Sequence, residues 1–323
     1  MGAGLVAGDK YLSEGRLYVA KFNANGTGEW LELSMANPRI AKHAAFKFTS
    51  PADIFVNTRH AADAVGATPM DRPEWGAVNP RNGEVYFCLT NNSAANRTPT
   101  KVDAANPRAY MDLDGKKSAG NPNGHIIRFK EIDKRSTALG FAWDIFLFGA
   151  EEDSGDANLS GLTASNSFSS PDGMWFSQTT GICWIQTDDG AFTDETNCMM
   201  LAAIPGQVGD GSKITAKNKM IINGTEQTGT QETFISAALG EAKLRRFLVA
   251  PKGAEVTGIT ETEDGKTLFV NIQHPGEDTP ALGTAGDFQL QSQWPGNQGY
   301  GPVGRPRSAT LVITRDDGGV IGI

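Results

Sequence analysis

The stretch Gly66–Gly76 (GATPMDRPEWG) holds Asp71, Arg72 and Glu74 among Pro69 and Pro73, just ahead of a strand-like run. Pro73 fixes its own φ and biases Arg72 toward extended backbone, so Arg72 and Glu74 should project to the same side. A guanidinium fork can grip phosphate oxygens in a bidentate way, and a neighbouring carboxylate can hold a metal ion. The same pair also suits a plain Arg–Glu ion pair beside a turn, and spacing alone favours that simpler reading. Two other segments carry acids in marked settings. Asp172 belongs to SSPDG (169–173), with WIQTD (184–188) after it, and taken alone it reads as a turn cap. Glu255 stands in the apolar GAEVTG, and NIQHPGE (271–277) gathers Gln273, His274 and Glu277 directly behind a buried-looking strand. A carboxylate at Glu255 needs a cation or a set of hydrogen bonds, with an ordinary loop acid as an equal alternative.

Other chemistries lack their residues. There is no GxSxG, no Walker A loop and no HExxH. The four histidines (His43, His60, His125, His274) are too few for a histidine-rich zinc site, which leaves metals with oxygen ligands open. Three cysteines give an odd count without CxxC spacing. Cys88 and Cys183 sit in the apolar runs VYFCLT and GICWIQT, as buried small hydrophobes rather than a disulfide framework. The 323 residues carry 29 Lys+Arg against 37 Asp+Glu, a net charge of −8, with pI near 5.1. That balance excludes the basic stripe of a nucleic-acid binder. No run approaches the roughly 18 apolar residues of a membrane helix. The run Gly2–Gly8 lacks a basic flank and meets Asp9 and Lys10, so it does not read as a signal peptide, and Val6 breaks the myristoylation pattern.

The elements that must position these residues are short strands behind Asn/Asp/Pro-Gly turns. RLYVAK (16–21) and GEWLEL (28–33) flank NANG. NPRNG leads into 84–89 and NPNG into 125–129. SPDG precedes 174–176, with a second strand over 182–187. TEDGK leads into 267–272, and RDDGG joins strands 309–314 and 320–323. One helix is expected over Asp53–Val65. Loops are expected over 92–106, 151–160, 207–212 and 276–287. Unit spacing is too irregular for a strict repeat, and no linker divides the chain. The expected fold is therefore all-β, a β-propeller or large sandwich forming a single domain over 1–323, or part of one. Inner propeller strands converge on one axis, where Glu74, Asp172 and Glu255 could meet around cations.

With those motifs in order (GATPMDRPEW, NPRNGEVYFCLTNN, SPDGMWF with WIQTD, RRFLVAP with EVTG, TLFVNIQHPGE, RPRSATLVITRDDGGVIG), the chain resembles the PhoX family of bacterial alkaline phosphatases from about Gly15 onward. The resemblance implies a β-propeller phosphomonoesterase with calcium and iron. It makes Glu74 a metal ligand and Arg72 a phosphate contact, Asp172 and Glu255 further metal ligands, and Arg246, Gln273 and His274 site-lining groups. Family members carry an N-terminal half with a twin-arginine export signal and a cysteine ligand to iron. This chain is therefore expected to be the C-terminal half of such a protein, an incomplete propeller lacking N-terminal blades, with the full-length product exported to the periplasm or beyond. The expected reaction is release of phosphate from small phosphate monoesters by a metal-bound oxo or hydroxide nucleophile in a monomer. Two other readings stand beside it, a non-catalytic calcium-binding propeller module and a lactonase-like calcium propeller.

Overall fold

The computed structural model describes residues 15–114, 117–280, 283–284 and 289–323. The run Gly2–Gly8 and part of the loop expected over 276–287 lie outside the described residues. In chain order the strands are β1 (Tyr18–Phe22), β2 (Thr27–Glu32), β3 (Pro73–Val78), β4 (Val85–Leu89), β5 (Asn92–Ser93), β6 (Tyr110–Asp112), β7 (Ser118–Asn121), β8 (His125–Glu131), β9 (Gly140–Phe148), β10 (Pro171–Phe176), β11 (Cys183–Thr187), β12 (Met199–Ala203), β13 (Ser212–Ile222), β14 (Thr225–Ile235), β15 (Leu244–Val249), β16 (Glu255–Glu261), β17 (Thr267–Gln273) and β18 (Ala309–Thr314). Among the described residues, four short α-helices accompany them: α1 (Pro38–Ala41), α2 (Pro51–Val56), α3 (Thr58–Val65) and α4 (Gly240–Lys243). The chain is thus mostly β. Among the described residues no helix is long and apolar enough to cross a membrane.

Packing divides the described residues into two compact units, those up to Pro69 with Glu131–Phe141, and Met70–Lys130 with Ala142–Ile323. In the first, β1 and β2 form an antiparallel hairpin running from Tyr18↔Glu32 to Phe22↔Gly28. Phe141 fills the space above Gly28, where a Cβ would lie 2.0 Å from its ring. The single helix expected over Asp53–Val65 is two. Ser50 and Asp53 form a reciprocal capping box that starts α2, and Asn57 ends it at φ −115°, ψ 41°. There the Asn57 amide donates to the Asp53 carbonyl at 3.1 Å, a side-chain bond that competes with helix continuation. Ile54, Ala61 and Val65 from α2 and α3 pack with Leu33, Ile40 and Phe48.

The second unit contains the antiparallel ladders β3–β4–β8, β5–β7–β6, β10–β11–β12–β15 and β16–β17–β18. Strand β17 shows why they pack: Leu268, Val270 and Ile272 are buried while Phe269, Asn271 and Gln273 face out, the period-two alternation of a one-sided strand. One buried cluster joins Tyr86, Cys88, Ile126, Phe146, Phe168, Met174, Phe176, Cys183 and Ile185, and another joins Trp184, Met200, Val256, Val270, Ile272 and Ile321. Each such large side chain stabilises the fold by about 1.5–3 kcal/mol. All three cysteines are buried and free. Two local expectations change. Residues 320–323 form no strand; Ile321 instead donates its amide to the Gly265 carbonyl and buries its side chain, because the flanking Gly318 and Gly322 adopt positive φ. An unforeseen hairpin of eleven-residue strands, β13 and β14, turns at Asn223 and Gly224, both left-handed, the type I′ geometry that favours this dipeptide.

Candidate active site

The site is built from the loop ahead of β3 and the ends of β10, β11, β16 and β17, all in the second unit. Asp71 anchors the loop. It is fully buried and accepts from Arg97 Nε (2.5 Å), Asn92 Nδ2 (2.8 Å) and Asn121 Nδ2 (3.0 Å), while its own amide donates to Asn106 Oδ1 (3.0 Å). His125 completes this network between Asn121 Nδ2 and the Ala105 carbonyl, and burial pushes its pKa down to about 4, so it is neutral. With Asp71 fixed inward, the next side chain is turned out. Arg72 departs from the extended backbone expected before proline: its φ is +52°. The Arg72 carbonyl accepts the Thr90 amide (3.2 Å), which holds that conformation in place. The guanidinium is half-exposed, donates to Asn91 Oδ1 (2.9 Å) and lies 3.6 Å from Glu74 Oε1. Arg72 and Glu74 therefore do meet, although by a different backbone route from the expected one.

Asp172 faces them. The segment SPDG is no free turn. Ser170 has φ +48°, and β10 begins at Pro171 with a register shift against β11 that bulges Asp172 out of the ladder. Thr90 Oγ1 lies 3.4 Å from Asp172 Oδ1, and Asn91 Nδ2 donates to Ser170 Oγ at 3.3 Å, tying the β4 end to the β10 start. Burial raises the Asp172 pKa to about 6, helped by Asp188 and Glu74 and opposed by the Thr90 hydrogen bond and Arg72. Glu255 opens β16, 9% exposed, with His274 Nε2 3.4 Å from its Oε2. Burial, then Asp188 and Asp172, raise Glu255 to about 7, while His274 opposes the rise. His274, at φ +37°, also sets Nδ1 3.4 Å from Glu277 Oε2. Beside it a hollow of about 370 Å³ is lined by Asp188, Asp189, Lys252, His274, Glu277 and Asp278, among others.

Asp172 interacts with both Glu74 and Asp188, and Glu255 with both Asp188 and Asp172; Asp188 belongs to the motif WIQTD but was not singled out from the sequence. Gln273 pairs opposite Glu255 in the β16–β17 ladder and is exposed. Arg246 is not brought to this group. It donates to the Ser167 carbonyl at 3.0 Å and lines a separate hollow with Glu151, Glu152 and Glu195. The donor set suits a hard cation such as calcium, since it consists of carboxylate oxygens, and Asp172 and Glu255 are held above the usual carboxylate range by burial and neighbouring acids. Burial pushes all three thiols up, Cys198 to about 12, and Cys198 lines the hollow.

The family model described as "Alkaline phosphatase PhoX" matches residues 7–276. A solved structure, Pseudomonas fluorescens PhoX in complex with vanadate, a transition state analogue, is similar at 32% sequence identity with a TM-score of 0.66. That likeness covers 100% of this chain and 48% of the other, so this chain spans about half the length of that relative. No curated protein matches. A family match over most of this chain does not bear out the expectation of a C-terminal half. The extent of both matches, over a mostly β chain carrying DRPEW, SPDG and EVTG in order, establishes that the chain belongs to the PhoX alkaline phosphatase family.

Proposed function

We propose that the second unit contributes the substrate and cation groups of a metal-dependent phosphomonoesterase, its ladders serving as blades of a β-propeller, in a protein exported to the periplasm. The observation that carries this reading is Arg72, a half-exposed guanidinium held by Asn91 and set between Glu74 and Asp172. In this role Arg72 grips two phosphate oxygens and stabilises the charge that builds on them during transfer. Asn91 and the Thr90–Arg72 backbone bond keep the fork aimed, which lowers the entropy lost on binding. Glu74, Asp172, Asp188 and Glu255 would hold calcium. When bound, the cations supply Lewis-acid neutralisation of phosphate charge and activation of water. His274 holds Glu255 in place and limits its rise in pKa. Gln273 stands at the rim as a polar contact for the ester. Iron with a cysteine ligand gains no support from these three thiols, and no step here relies on it.

The test is phosphate release from an aryl phosphate with and without added calcium, in the complete protein. Glu74→Gln should lower turnover at least about 10²-fold, the usual cost of removing a charge-stabilising group, and lower the bound calcium. Retained turnover rejects the assignment. Calcium uptake without phosphate release would instead support the non-catalytic module, and hydrolysis of a lactone alone the lactonase-like reading.

A further inference from the structure

Away from Arg72 and Glu74, three other carboxylates crowd together. Asp112 ends β6, Asp114 follows two residues later, and Glu151 stands just beyond β9. An oxygen from each lies within 4.8 Å of the others, and among the described residues no other three His, Cys, Asp or Glu groups come so close. Crowding alone would mean little on an exposed surface. Here Asp112 and Glu151 are each only 6% exposed, both carboxylate oxygens of Asp112 are reached by no donor, and Oε1 of Glu151 is likewise unpartnered. Buried acceptors are almost always satisfied, so these three free oxygens in one carboxylate cluster require a partner. Among the described residues, no Lys or Arg forms an ion pair with any of the three. Arg246, across the neighbouring hollow, is committed to Ser167. Burial, then the Asp114 carboxyl and Glu151, push Asp112 up to about 8. Burial and surrounding acids push Glu151 to about 7.

We infer that Asp112, Asp114 and Glu151 form a calcium site, independent of the phosphatase reading. The donors are all carboxylate oxygens, which selects a hard cation over zinc or copper. Both oxygens of Asp112 are free, and bidentate ligation of that kind suits calcium, with its six to eight flexible ligands, better than magnesium with its strict octahedron. The exposed Asp114 leaves room for waters to complete the shell. Such an ion ties the end of β6 to the exit of β9, residues that are local neighbours only because of the fold.

The test titrates the chelator-stripped full chain with calcium alone, reading stoichiometry by calorimetry and melting temperature by far-ultraviolet circular dichroism. The unsubstituted chain should melt higher as calcium rises. The double variant Asp112→Asn, Glu151→Gln should bind one calcium fewer per chain. Stripped of calcium, it should melt above the stripped parent, because repulsion is relieved. Asp114→Asn, on the exposed side, should keep the fold and weaken that one site at least tenfold; it decides the matter should the double variant not fold. Glu74→Gln should leave this equivalent in place, which separates the cluster from the site around Arg72. An unchanged calcium count and melting shift in the Asp112, Glu151 and Asp114 variants overturn the proposal, as does an equal response to magnesium.

Discussion

Arg72 carries the largest local departure from sequence expectation. A non-glycine residue at positive φ costs about 1–3 kcal/mol and persists where surrounding contacts hold it. The contacts are identifiable here: Asp71 buried with Arg97, Asn92 and Asn121, and the Arg72 carbonyl bound to the Thr90 amide. Pre-proline bias predicted an extended residue because it counts only neighbours along the chain, whereas Thr90 arrives from β4. The adjacency of Arg72 and Glu74 was nevertheless legible, since two positions either side of a proline keep together under either backbone. His274 offers a separable test. It opposes the rise of Glu255, whose pKa already stands near 7. Removing the imidazole in His274→Ala should raise that value further, so the carboxylate ionises later on the alkaline path. The acid limb of the pH–rate profile should then move up by about one pH unit, with the alkaline limb unchanged. An unmoved acid limb would separate His274 from the site.

Among the elements, hairpins were the most legible feature, because a turn of Asn or Asp with Gly and an alternating run each carry their own physical signal. Strands 85–89, 125–131, 267–273 and 309–314 appear where that grammar put them. The failures have tertiary causes. Residues 320–323 look like a strand until Ile321 finds a buried place beside Trp184 and Val256. Asp53–Val65 looks like one helix until Asn57 bonds backward. The triad of Asp112, Asp114 and Glu151 was illegible, since no local pattern relates the end of β6 to the end of β9. Glycines make the element scale measurable. Gly224 occupies the β13–β14 turn at φ +78° with open space around it, so Gly224→Ala should cost only about 1 kcal/mol. Gly124, at φ +61°, has the Thr90 carbonyl oxygen 2.0 Å from where a Cβ would stand. Gly124→Ala adds overpacking to the same conformational cost and should lose about 2–5 kcal/mol. Urea midpoints for the two variants decide whether that ranking holds.

For the whole molecule, the surplus of acids that gives a net charge of −8 is partly internal. Asp112 at about 8, and Glu151 and Glu255 at about 7, hold their protons in the folded chain well above the usual carboxylate range. The sign follows from proton counting. Unfolded, these groups titrate near 4, so between about pH 4 and pH 8 the folded chain binds more protons than the unfolded one. The associated stability is complete below pH 4 and is lost as pH rises through 7 to 8. A chelator-treated sample should therefore melt progressively lower from pH 5 to pH 9, and millimolar calcium should flatten most of that decline, as mass action on the native state requires. A metal-free melting temperature that climbs over the same range would contradict the internal titration.

The hollow beside His274 has one further consequence. Its lining sets Asp188, Asp189, Glu277 and Asp278 against Lys252 and His274, so a small anion arriving alone meets a wall of its own sign. On the phosphatase reading proposed above, divalent charge would have to neutralise these acids before a phosphate could approach them.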